Sequence, residues 1–354
     1  MQNNFHFIRF IAASFVLFGH CYPLTGKGNN DYLTVLSKGI FPTAHMGVCI
    51  FFIVSGYLVS QSLKNSTTIG NFIWKRVLRI FPALIVVLLL SIFILGPICT
   101  TLPLSTYWAS ANTYQYFGLI ILYPTAYIPH TLPGTFANLP INEINGSLWT
   151  LPYEITMYLF LVFLQIINLF SKRNVILILF IITTPLTIYL ALYHNRTLQI
   201  PILNLSFFDL IEFGIFFMLG SIMCLFKDKI SYRFGYFVLM LFLWFGLGFL
   251  HITTPNMIKS ISFFALPYIV LYLANLKGKL NDFGKLGDFS YGIYIYAFPV
   301  QQMVVHFYGT NISIEKIFLL SYSIVLFLSI LSWFFIEEKA LRFKSKSILW
   351  EKAY

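Results

Sequence analysis

Residues 5–22 read FHFIRFIAASFVLFGHCY, an apolar run interrupted by Arg9 and His20. Its length suits a helix that crosses a bilayer. On such a helix the two polar residues lie about 16 Å apart along the axis. Eleven steps of about 100° bring both onto one face. A guanidinium and an imidazole are costly inside a span, which marks both as candidate functional residues. No basic leader precedes the run, and Cys21-Tyr22-Pro23-Leu24 follows it where a cleavage site would need small residues. The run is therefore expected to be a retained span rather than a signal peptide.

The whole chain repeats this character. Of 354 residues, 58% are hydrophobic and 10% charged, with mean hydropathy +0.79. A soluble domain carries roughly 25% charged residues, so most of this chain is expected within a membrane. The 39 Phe and 22 Tyr suit aromatic belts at membrane interfaces. The net charge of +11 does not indicate nucleic acid, because the bases fall in short clusters between apolar runs. Cys21, Cys49, Cys99 and Cys224 sit singly in apolar context without metal-ligand spacing, so no metal is expected.

Apolar windows fall at 5–22, 46–63, 77–98, 148–170, 174–193, 206–226, 234–251, 257–276, 289–307 and 315–336. The fold class is thus all-α, a polytopic bundle of about ten transmembrane helices. A weaker window, Tyr107 to Tyr123, is resolved by charge. If it does not cross and the N-terminus is cytoplasmic, Lys27, Lys38, Arg196, Lys259 and Lys316 are the bases left outside, of 23 in all. If it crosses, every later loop inverts and that bias collapses. Both termini are therefore expected in the cytoplasm. A transmembrane domain spans 1–340, a short basic tail spans 341–354, and the outer segment 99–146 is expected to dip into the membrane against other helices.

Four stretches carry candidate chemistry. In the first span, Arg9 falls near the cytoplasmic interface, where it either snorkels or binds a ligand. His20 falls in the outer half and is either a structural histidine or a general base, its ordinary pKa being matched to neutral pH. The second stretch, Gly47-Val48-Cys49-Ile50-Phe51-Phe52-Ile53-Val54-Ser55-Gly56-Tyr57-Leu58, offers small residues for close helix packing. Ser55 also puts a hydroxyl beside the first span. In Arg76-Val77-Leu78-Arg79-Ile80-Phe81-Pro82 the two arginines share a helical face. They either set topology or bind phosphate bidentately, as a nucleotide or coenzyme A would offer it. In Ser147-Leu148-Trp149-Thr150-Leu151-Pro152-Tyr153-Glu154, Trp149 and Tyr153 suit an interface. Glu154 is either a structural partner or a group that orients His20, in the manner of a hydrolytic triad. Asp209 and Glu212 share a face and are candidates to bind sugar hydroxyls or to pair with Arg196. Glu337 and Glu338 are expected to balance the basic C-terminal cluster, and the remaining histidines, His45 included, carry no metal spacing.

Together with Gly287-Asp288-Phe289-Ser290-Tyr291-Gly292-Ile293-Tyr294-Ile295-Tyr296, these stretches resemble the acyltransferase-3 family of integral membrane acyltransferases. Within it the chain looks most like bacterial O-antigen and exopolysaccharide O-acetyltransferases. Two positions depart from the family's pattern: Cys49, often charged or polar in relatives, and Ala297, where many carry His. The resemblance implies acetyl transfer from cytoplasmic acetyl-CoA to a sugar hydroxyl of a polysaccharide or lipid-linked oligosaccharide, in the bacterial inner membrane. With no appended hydrolase-like domain, transfer is expected to finish within the membrane. Arg76 and Arg79, with Arg9, would hold the coenzyme A phosphates. His20, oriented by Glu154, would be the base or the acetyl acceptor. Ser55, Ser147, Trp149 and Tyr153 would shape the acceptor site. Two rivals stay open from sequence: a polyprenyl-linked glycan transporter or flippase, and transfer of another acyl group such as succinyl.

Overall fold

The structure is a computed structural model that describes residues 3–37, 39, 42–122, 128–193, 198–200, 205–247 and 254–344. Ten helices account for the ten apolar windows. They are α1 (Phe5–Leu24), α2 (Thr43–Lys64), α3 (Ile69–Leu90), α4 (Leu151–Ile166), α5 (Arg173–Tyr193), α6 (Phe207–Leu225), α7 (Phe234–Leu241), α8 (Pro255–Asn275), α9 (Ser290–Tyr308) and α10 (Ile314–Ser332). Among the described residues, eight apolar stretches, built on α1–α6, α8 and α10, are long enough to cross a membrane. α9 is a central helix, with both neighbours and core on nearly every side: all of Ser290–Gln302 is buried. α7 continues through the π-helical turn Phe242–Gly246, and the remainder of its window lies largely outside the described residues. A two-residue antiparallel ladder joins β1 (Gln199–Ile200) to β2 (Leu205–Ser206).

Local chemistry sets where the helices begin. Thr68, Ser206, Thr254 and Ser313 each accept a backbone N–H at the start of α3, α6, α8 and α10. At α8 the capping threonine is followed by Pro255, whose fixed φ suits the first helical position. Away from the core the helices present apolar side chains: Ile182, Leu319 and Phe335 are 67%, 63% and 64% exposed. Such faces belong against hydrocarbon.

α1, α2 and α6 pack side by side. At the α2–α6 crossing, a Cβ on Gly56 would lie 2.0 Å from the Phe217 carbonyl oxygen, and one on Gly220 would lie 2.2 Å from that of Ile53. Glycine is required at both positions because backbone meets backbone there.

Between α3 and α4 the chain forms helices of six, five and six residues (Leu104–Ala109, Ala111–Gln115, Tyr116–Ile121). Six residues span only about 9 Å, too short to cross. Two of their tyrosines anchor them inward: Tyr107 donates to the Ile92 carbonyl at 2.8 Å, and Tyr107 and Tyr116 are fully buried. Further on, Gln302 donates to the carbonyls of Ile141 and Glu143, and Asn145 to that of Ile295. The end of the segment is thus sewn to α9.

Candidate active site

A cavity of about 270 Å³ opens among α1, α2, α3, α4, α9 and the end of α10. Along α2 its lining runs from Val59 to Val48, about 16 Å of helix. One end is charged, with His6, Arg9, Arg76, Arg79, Asp288 and Lys344. Ser55, Glu154 and Tyr158 follow. Thr150, Phe51, Phe52 and Tyr294 line the far end.

At the charged end, Asp288 gathers the cations. Its Oδ2 accepts from Arg9 Nη1 at 2.5 Å and from Arg79 Nη2 at 2.8 Å. His6 Nδ1 lies 3.5 Å away, and Ser290 donates to Oδ1. Burial alone would raise this carboxyl, but Arg79 and Arg9, with His6, hold it well below the usual carboxylate range. Arg79 also reaches Glu337 Oε2 at 3.5 Å, and its guanidinium lies 5.6 Å from the centre of the Tyr291 ring. The π-helical turn Trp333–Glu337 extending α10 brings Glu337 here, where Ser332 donates to it. Its neighbour Glu338 pairs with Arg342, as expected of both.

Arg76 is different. Its Nη2 donates to Ser62 Oγ at 3.4 Å, its guanidinium stands 6.0 Å from the Tyr158 ring centre, and its Nε is buried without a partner. Among the described residues it makes no ion pair with a carboxylate. The three arginines therefore differ: Arg9 and Arg79 are matched by acids, and Arg76 keeps its charge available. At the mouth, burial first, then Arg76 and Arg79, lowers Lys344 to about 8.

Glu154 sits in the middle of the cavity, accepting from Ser55 Oγ at 3.2 Å and from the Tyr158 hydroxyl. The expectation that Glu154 orients His20 is not met in this arrangement. The reason lies upstream. Asn145 accepts from Ser147 N, and the tight turn Gly146–Thr150 is buried against α9, where Tyr294 donates to the Ser147 carbonyl at 2.7 Å. Glu154 is thereby carried about 10 Å further along the helix than Ser147, into the cavity.

His20 lies beyond the cavity's far end. Its ring meets Phe298 edge-on at 5.3 Å, and Nδ1 is buried without a partner. Phe298 is one turn past Tyr294 on α9 and also packs on Gly146. Between the cavity's far end and His20 stand Phe298 and the bonded hydroxyls of Thr150 and Tyr294, the latter donating to the Ser147 backbone. Ser147 Oγ is likewise buried and unpartnered.

The cavity therefore unites Arg9, Arg76, Arg79, Ser55 and Glu154, and leaves out His20, Ser147, Trp149 and Tyr153. Trp149, 43% exposed, packs on Tyr153 and Phe213, and Tyr153 accepts from Ser206 N. Sequence reasoning gave no role to Asp288, Tyr158, Lys344 or His6 and misplaced Glu337. A signal existed for two of them, an acid opening the ninth window and another closing the tenth. Glu212 pairs with Lys259 and His45, while Arg196, its other candidate partner, lies outside the described residues.

The family pattern described as an acyltransferase domain matches residues 2–338. The chain belongs to the acyltransferase-3 family. An O-acetyl transferase of Shigella phage Sf6 is 31% identical over 351 residues, covering 96% of each chain. Nodulation protein 10 of Rhizobium leguminosarum bv. viciae is 33% identical over 168 residues, covering 45% of this chain and 42% of its own. No solved structure matches. The protein is a multi-pass membrane acyltransferase.

Proposed function

We propose that this acyltransferase moves an acetyl group from acetyl-CoA, bound from the cytoplasm, to a sugar hydroxyl of a surface polysaccharide or its lipid-linked precursor. The bacterial inner membrane is the setting. The observation that carries the reading is the cavity itself, with the Arg76 guanidinium, in no ion pair among the described residues, at one end and His20 behind Phe298 past the other. The O-acetyl transferase name of the phage relative supports the choice of group.

In this reading Arg76, with Lys344 at the mouth, binds the donor's phosphates through charge-assisted hydrogen bonds. Arg9 and Arg79 act chiefly by holding Asp288, and so the walls of the mouth. The pantetheine arm lies along α2, where Ser55, Glu154 and Tyr158 supply polar contacts in an otherwise aromatic and aliphatic passage. Its thioester stops at Thr150 and Tyr294. His20, reached by the acceptor from the opposite side, removes the proton of the sugar hydroxyl. The oxygen attacks the thioester carbonyl, the carbon–sulfur bond breaks, and the coenzyme A thiolate leaves. Thr150, Tyr294 and Phe298 must part for the two substrates to meet.

Membrane vesicles of defined sidedness test this. Labelled acetyl from acetyl-CoA supplied at the cytoplasmic face should enter glycan on the other. Incorporation only when donor is supplied at the opposite face would overturn it.

A further inference from the structure

Away from the cavity, three donors of different chemistry meet between α2 and α6. His45 and Cys49, four residues apart, occupy one face of α2, and Glu212 comes from α6, 167 residues after His45. One ligand atom from each lies within 4.8 Å of the others. We propose that His45, Cys49 and Glu212 bind one zinc-like divalent cation.

The donor set fixes the class of ion. One thiol, one imidazole and one carboxylate suit a borderline metal such as zinc, whereas magnesium and calcium require mostly oxygen. Zinc bonds of about 2.0–2.3 Å place tetrahedral ligands about 3.3–3.8 Å apart. The pairs here need only side-chain adjustment, since His45 Nε2 is now 2.9 Å from Glu212 Oε1. The frame is rigid: Glu212 is 2% and Cys49 1% exposed, on helices whose backbones touch at Gly56 and Gly220. His45, 24% exposed, leaves a route in.

The surroundings complete the site. Lys259 Nζ lies 2.9 Å from Glu212 Oε2, the oxygen turned away from His45. It holds the carboxylate in place, as outer-shell partners of metal ligands do. On binding, the Cys49 thiol releases a proton and forms a sulfur–metal bond, and the imidazole binds through a nitrogen free of hydrogen. Thiolate and carboxylate offset the ion's two charges. Three protein donors leave a fourth position open.

The site is independent of the donor cavity, and its test does not read acetyl transfer. The full chain, purified in detergent through a histidine-free tag, is titrated with Co²⁺ and then Zn²⁺. A thiolate-to-cobalt charge-transfer band should rise to one equivalent per chain and bleach as zinc displaces cobalt. Cys49→Ser, close in volume, should abolish the band, while Cys21→Ser, Cys99→Ser and Cys224→Ser keep it. Should Cys49→Ser fail to elute as a single species, the other three variants still assign the thiolate by elimination. No saturable cobalt band in the wild type, or a band surviving in Cys49→Ser, would overturn the site and leave the cluster as a buried ion pair.

Discussion

Arg79 and Asp288 form an ion pair of 2.8 Å across 209 residues of sequence, joining the middle of α3 to the residues that lead into α9. With Arg9 donating to the same oxygen, one carboxylate holds three helices at the charged mouth of the cavity.

Asp288→Asn therefore leaves the largely buried guanidinium of Arg9 facing a neutral amide and leaves Arg79 with the longer contact to Glu337. Breaking such a pair costs about 3–5 kcal/mol. The variant should melt lower in detergent and give less monodisperse protein. An unchanged melting temperature would show that the cluster bears no structural load.

Arg76 should behave in the opposite way. Arg76→Ala removes no ion pair, so thermal stability should stay near wild type while the KM for acetyl-CoA rises about tenfold or more, the loss of a charge-assisted contact. Arg76→Lys should recover only part, because a point charge does not replace a planar fork. The comparison needs melting curves and donor titrations on the same preparations.

The mouth should also respond to pH. Lys344, lowered to about 8 first by burial and then by Arg76 and Arg79, is cationic below that value and neutral above it. Donor KM should rise between about pH 7 and 9. Lys344→Arg, which stays charged, should flatten the rise. A slope identical in both proteins would remove Lys344 from donor binding.

These contrasts mark the limit of what the sequence made legible. The ten helices were legible because apolar windows of bilayer length announce themselves, and the weaker window that begins at Tyr107 falls on short helices. The arginines stood out as costly residues. Which of them was already neutralised did not, since Asp288 meets Arg9 and Arg79 only through folding. Glu154 was misplaced in depth because nothing local shows that Asn145 and Tyr294 draw the preceding turn into the bundle. His45, Cys49 and Glu212 were missed as a group because spacing rules read one helix at a time.

The α2–α6 crossing permits a packing test. Gly56→Ala would set a methyl 2.0 Å from the Phe217 oxygen, and the helices must separate, at a cost of about 1–3 kcal/mol. Gly70→Ala, whose nearest neighbour would be 3.8 Å away, is the control. Melting temperatures of the two should diverge, with only Gly56→Ala falling.

The central claim is that His20 acts as the base at the meeting of donor and acceptor, and it is tested most directly by His20→Ala. Transfer of labelled acetyl from acetyl-CoA to glycan is measured in membranes holding equal amounts of the two proteins. The account predicts a fall of about 10²–10⁴ in rate with donor KM little changed. Near-normal transfer by His20→Ala would contradict it.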